Sequence, residues 1–123
     1  MEITPASPSE YAIARGIVDA AMLELAADAY RRGSVLLARE EDRALGVLVL
    51  DGSEIAAIAV RPKRRGQGIG SALVREAARR RGELVVAFDP HVRPFYESLR
   101  FIVHCEDGRY RGRRGRRDRT SRT

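Results

Sequence analysis

What this sequence lacks narrows its function first. Its single cysteine, Cys105, excludes an internal disulfide. No apolar run reaches the roughly 18 residues that a membrane helix needs. The first residues, Met-Glu-Ile-Thr-Pro, have neither the basic start nor the apolar stretch of a signal peptide, so the expected address is cytoplasmic, away from membranes. His91 and His104 are the only histidines, and no cluster has the spacing of a metal site. There is no Gly-x-x-x-x-Gly-Lys-Ser/Thr run, so a P-loop is excluded. The glycine series that does occur is Gly-x-Gly-x-Gly, which fits a dinucleotide fingerprint poorly.

The chain has 123 residues, enough for one domain with a real core. Its 44% hydrophobic and 33% charged content fits a soluble globular protein. The net charge of +6 is unevenly placed. Residues 109–123 hold eight arginines and one aspartate, or +7, and the remaining residues hold 15 basic and 16 acidic side chains, or −1. Residues 113–123 contain no apolar side chain and are expected to form a disordered basic tail after a domain spanning 1–112. Such a tail favours phosphate, so nucleic acid or a ribonucleoprotein is an alternative partner for residues 109–123, although Tyr110 alone offers stacking.

Ser7-Pro8-Ser9-Glu10 carries the signature of a capped helix start, and apolar spacing predicts helix to about Arg32 with a break near its middle. Strands are predicted at residues 2–4, 35–39, 45–50 and 54–60. Asp51-Gly52 marks a hairpin, so the last three form an antiparallel meander. Helix follows from Gly68 to about Arg81. The apolar run 84–88 reads as a buried central strand. A short helix over 92–99 precedes a final hairpin, 101–105 and 109–111.

The most informative stretch is Ile58-Ala-Val-Arg-Pro-Lys-Arg-Arg-Gly-Gln-Gly-Ile-Gly-Ser71. A strand ends at Val60, four cations follow (Arg61, Lys63, Arg64, Arg65), and three alternate glycines open a helix. Glycine lets backbone approach a ligand closely. The first amides of a helix are unpaired and partly positive, so an anion settles there.

Arg65-Gly66-Gln67-Gly68-Ile69-Gly70 resembles the coenzyme A motif of the GNAT superfamily of N-acetyltransferases. Pro94-Phe-Tyr-Glu-Ser-Leu-Arg-Phe101 resembles that family's Phe-Tyr-x-x-x-Gly-Phe segment. The resemblance covers residues 1–112, with specific motifs at 58–71 and 88–101. It implies an α/β (α+β) fold with a mixed sheet of six to seven strands and about four helices. It also implies acetyl transfer from acetyl-CoA to the primary amine of a small molecule or protein, by a monomer or homodimer. The cofactor arm would lie between splayed strands 55–60 and 84–88, along Ile58 and Val60. The pyrophosphate would sit on the amides of Gly66, Gln67, Gly68, Gly70 and Ser71 beside Arg65. Tyr96 takes the place of the family's general acid. Glu54 stands where histone-type relatives carry a base, and alternation would set it on the face of Val60. Glu24 and His91 are further candidates near the cleft, whereas His104 and Cys105 carry no expected chemistry. A non-catalytic acetyl-CoA sensor is the other reading the family allows. Two departures stand out: Arg100 replaces the glycine before Phe101, and Asp89 replaces a frequent asparagine.

Overall fold

The computed structural model describes residues 1–115. Seven strands, β1 (Glu2–Pro5), β2 (Ser34–Glu40), β3 (Arg43–Asp51), β4 (Glu54–Val60), β5 (Glu83–Phe88), β6 (Ile102–Glu106) and β7 (Arg109–Gly115), form one sheet in the order β1-β2-β3-β4-β5-β7-β6. Four α-helices accompany them: α1 (Tyr11–Ala20), α2 (Ala29–Arg32), α3 (Ile69–Arg81) and α4 (Arg93–Ser98). The element order is the expected one. Among the described strand pairs only β4–β5 is parallel, as the α3 crossover requires. The last hairpin differs from expectation in length: β7 takes in Arg113, Arg114 and Gly115 and pairs along all of β5. The rest of the predicted tail, 116–123, lies outside the described residues. Among the described residues, no helix is long and apolar enough to cross a membrane.

The first helix starts as predicted. The Ser7 amide donates to Glu10 Oε1 at 3.0 Å, and Pro8–Glu10 forms one 3-10 turn before α1. Arg39 of β2 clamps the same carboxylate. Hydrogen bonds from Arg39 and then the Ser7 amide lower the Glu10 pKa to about 2. The predicted break falls at Met22, which takes φ 63 while Leu23 N–H reaches back to the Val18 carbonyl at 3.3 Å. That is a left-handed helix ending made without glycine.

Two cores share the central strands. Leu36, Leu48 and Leu50 pack with Leu73, Val74, Leu84, Tyr96 and Phe101 under α3 and α4. Leu37, Val47 and Val49 point the other way, to Ile17, Val18 and Tyr30 of α1 and α2. Burial on both faces explains why β2 and β3 read as unbroken apolar runs. β5 is different from the fully buried strand expected: Leu84 and Val86 are buried, but Val85 and Ala87 are half-exposed. The helices on that face, α1 and α2, pack against β2, β3 and β4.

A bulge in β4 corrects the alternation argument. Val49 pairs with Ala57 but Leu50 pairs with Ile55, leaving Ala56 as an extra residue. Ile55, Ile58 and Val60 therefore all join the α3 core, and Glu54 falls on the face opposite Val60. Arg100 takes φ 70, the left-handed conformation that glycine adopts at no steric cost. Arg100→Gly should stabilise the fold by up to about 1 kcal/mol, read as a higher urea midpoint at unchanged slope.

Candidate active site

β4 and β5 share one bridge, Glu54 with Val85, closed by the Val85 amide on the Ser53 carbonyl at 2.9 Å. Beyond it the strands part. Their facing edges line a cleft of about 900 Å³ that runs through the sheet. Its apolar wall comes from Ile58, Val60, Val86, Phe88, Val92 and Phe95. The apolar wall and free strand edges suit a slender amide-bearing chain, bound as an added strand.

The glycine turn sits at one mouth. Gly66 and Gly68 take φ 77 and 85, and a Cβ on either would point into open space. Gly68 caps α3, so the first amides of a 13-residue helix face the cleft where Gly68, Gly70 and Ser71 line it. Gly46 of β3 allows this placement: a Cβ there would lie 3.2 Å from Ile69 Cγ2 and 3.3 Å from Leu73 Cδ1. A side chain at that position would push α3 outward. Gly70 leaves room for the ring of Phe95, 3.5 Å from where its Cβ would stand.

The cation cluster divides. Arg65 lines the cleft, with Nε on the Val60 carbonyl at 3.1 Å. Arg61 Nε binds the Ala44 carbonyl at 2.6 Å. Arg64 bridges the Gln67 side chain, at 2.8 Å, and Glu40, at 3.1 Å. Those two act as structural arginines that hold the turn. Gln67 itself is exposed beside the cleft.

Tyr96 is 4% exposed and also lines the cleft. Its ring stacks on Phe88 with centroids 4.7 Å apart, and Phe95 and Phe101 meet it edge-on. Burial pushes its pKa from 10.0 up to about 12, so the phenol remains a proton donor at neutral pH.

Ala21, Leu23 and Glu24 line the cleft from the α1–α2 connection, on the face opposite α3, and Asp89, His91 and Arg109 line it as well. Thus Ile58, Val60, Arg65, Gly66, Gly68, Gly70, Ser71 and Tyr96 meet at one cleft, whose lining also takes in Glu24 and His91. Glu54 does not join them. It is exposed at the closed vertex and is not among the lining residues. His104 and Cys105 lie on the edge strand β6, away from the cleft. Sequence reasoning missed Arg109 as a cleft residue, because it stood in a charge run rather than a motif.

With this geometry in place, comparison with known proteins is decisive for the family. The model of the acetyltransferase (GNAT) domain matches residues 31–103, well over half of the chain. The chain belongs to the GNAT acetyltransferase family. No curated protein sequence matches it. Similar solved structures include a putative N-acetyltransferase from Lactobacillus plantarum, at 18% identity and TM-score 0.75 over 93% of this chain and 97% of that one. An acetyltransferase from Bacillus subtilis in complex with CoA has 18% identity and TM-score 0.69, again covering 93% and 97%. The ribosomal-protein-S18-alanine N-acetyltransferase of Escherichia coli has 16% identity and TM-score 0.70, covering 91% and 90%. At these identities the likeness is one of fold.

A raised phenol pKa stabilises the folded state below the ordinary value of 10.0, and that contribution fades as pH climbs through about 12. Phenolate absorbance should therefore show one group ionising near pH 12 in the wild type and missing from Tyr96→Phe. Loss of that group from the titration near pH 10 would contradict the burial argument.

Proposed function

We propose that the protein transfers an acetyl group from acetyl-CoA to a primary amine, with both substrates held in one cleft. The observation that carries this reading is the meeting of the α3 glycine turn, the unpaired β4 and β5 edges and a protonated tyrosine along a single through-going gap. The Bacillus subtilis structure of the same fold holds CoA, which supports the choice of ligand.

Acetyl-CoA supplies an activated thioester acyl group and a thiolate leaving group. The amides around Gly66, Gly68, Gly70 and Ser71 bind its pyrophosphate, and Arg65 adds a charged donor there. The freed edge of β4 around Ile58 and Val60 pairs with its amide-bearing arm. The Val60 amide is positioned as a donor for charge growing on the acyl oxygen. Tyr96 gives its proton to the departing sulfur.

The acceptor enters at the opposite mouth. Amines with pKa values near 10 arrive protonated and must lose a proton before attack. Glu24 holds the ammonium by charge and takes that proton, directly or through water. This role passes to Glu24 from Glu54, which the β4 bulge turns away from Val60 and which does not reach the cleft.

Gly70→Glu should abolish acetyl-CoA binding in a calorimetric titration. It fills the gap beside Phe95 and sets a carboxylate against the pyrophosphate, at a position whose backbone is not left-handed. Binding of acetyl-CoA with ordinary affinity by Gly70→Glu would remove the phosphate site from this turn. Absence of binding by the wild type would overturn the whole reading.

Tyr96→Phe and Glu24→Gln should each lower kcat on the order of 10²-fold with acetyl-CoA affinity nearly unchanged. Glu54→Gln should stay close to wild type. A selective loss in Glu54→Gln, with Glu24→Gln unaffected, would return the base to the β4 vertex.

A further inference from the structure

Among the described residues, the helices on the α1 face cover β2, β3 and β4 and do not pack on β5, β7 and β6, where arginines line that face. On β7, Tyr110 stacks over Phe88 and Gly112 meets Phe88 and Phe101, so the even-numbered residues face α4. Arg109, Arg111 and Arg113 therefore project from the opposite face. Register sets Arg111 between Ala87 of β5 and His104 of β6, and Arg113 between Val85 and Ile102. Arg109 begins this row at the acceptor mouth, where it lines the cleft.

The row is unevenly neutralised. Arg113, at its far end, is bound by Glu83. Arg111 reaches Glu106 only at 4.0 Å. Arg109 has no ion-pair partner among the described residues. The most weakly paired cations of the row are thus Arg111 and, lining the cleft, Arg109.

We infer that this face selects the acceptor, and that the acceptor is an acidic polypeptide segment whose amine enters beside Glu24. The inference rests on the acetyl-transfer reading of the cleft. Alternate residues of a strand repeat every 6.6–6.8 Å or so, and an extended peptide carries its own alternate side chains at that same repeat. Carboxylates on such a peptide meet guanidinium groups in matched, two-pronged hydrogen bonds. Ala87, Val85 and Ile102 supply small apolar contacts between the charges. Among the described residues, Phe88 and Tyr110 stack together on the other side, so they offer this face no aromatic platform for nucleic-acid bases.

The test is direct binding to the full chain, which does not depend on turnover. The probe is an extended peptide, Ala-Asp-Asp-Glu-Asp-Gly, with a free amino terminus and a fluorophore at its carboxyl end. Its amide counterpart, Ala-Asn-Asn-Gln-Asn-Gly, is the comparison. The acidic peptide should bind about tenfold tighter than the amide peptide at low salt, and the gap should close at high salt. The double variant Arg109→Gln, Arg111→Gln should lose about tenfold for the acidic peptide alone. His104→Glu, an exposed edge substitution beside Arg111, should weaken it in the same direction. Substituting Arg116, Arg117, Arg119 and Arg122 by glutamine should leave most of the preference.

Equal binding of the two peptides would overturn the inference. So would a preference lost only with the four distal arginines, or displacement of the peptide by a single-stranded RNA that binds more tightly through Arg109 and Arg111. A parallel acetyl-CoA titration separates the two readings. Cofactor binding without acidic preference sinks only the acceptor assignment, while peptide preference without cofactor binding sinks acetyl transfer and, with it, the acceptor role of this face.

Discussion

Between β4 and β5 the backbone ladder stops after Glu54 and Val85, and nearly every functional feature of the protein follows from that interruption. A parallel pair would ordinarily continue, because edge amides and carbonyls left without partners are costly. Here residues 56–59 and 86–88 line a cleft instead, while the Val60 carbonyl accepts from Arg65 Nε. Parting the strands also carries the sheet's two halves away from each other, which opens a passage from the α3 face to the α1 face. On the proposed reading, a molecule bound in that passage would complete the ladder as an added strand.

The gap stays open because both of its walls are braced from behind. The β4 bulge at Ala56 turns Ile58 and Val60 onto the α3 core, while Ala57 and Ala59 pack toward α1. Gly46 lets α3 settle closely on β3, and this sets the helix start at the cleft mouth. On the β5 side the stack of Phe88, Tyr96 and Phe101 holds α4 against the sheet. The same stack strips water from the Tyr96 phenol and keeps it protonated. Packing and proton chemistry are therefore one arrangement at this residue. Helix coverage then divides the sheet's other face. α1 and α2 shelter β2, β3 and β4, and of the β7 arginine row Arg109 and Arg113 are exposed and Arg111 is half-buried, with Arg109 lining the cleft.

Much of this was legible in the chain. Each predicted strand and helix appears, with boundaries displaced by a few residues, because capping, turn and periodicity signals are local. Ser7 and Glu10 announce the first helix; Asp51-Gly52 and Asp107-Gly108 announce hairpins. The glycine turn was legible because phosphate chemistry demands glycine near a helix start. Two expectations fail for different reasons. Glu54 was assigned a face by simple alternation, and one extra residue at Ala56 reversed it. β5 was read as buried on both sides, but coverage is a property of distant helices rather than of an apolar run.

The sequence by itself determined the local elements, their order, the glycine turn at the start of α3 and the tyrosine set among aromatic neighbours. These depend on residues a few positions apart, where backbone preferences and side-chain spacing act directly. Only the tertiary structure decided which groups share the cleft. It brought Glu24 and Arg109, 85 positions apart, to one mouth, left Glu54 at the vertex, and turned a run of arginines into a charged face. Strand register, a bulge and the reach of two short helices settle those placements, and none of them has a signature within a single stretch of chain.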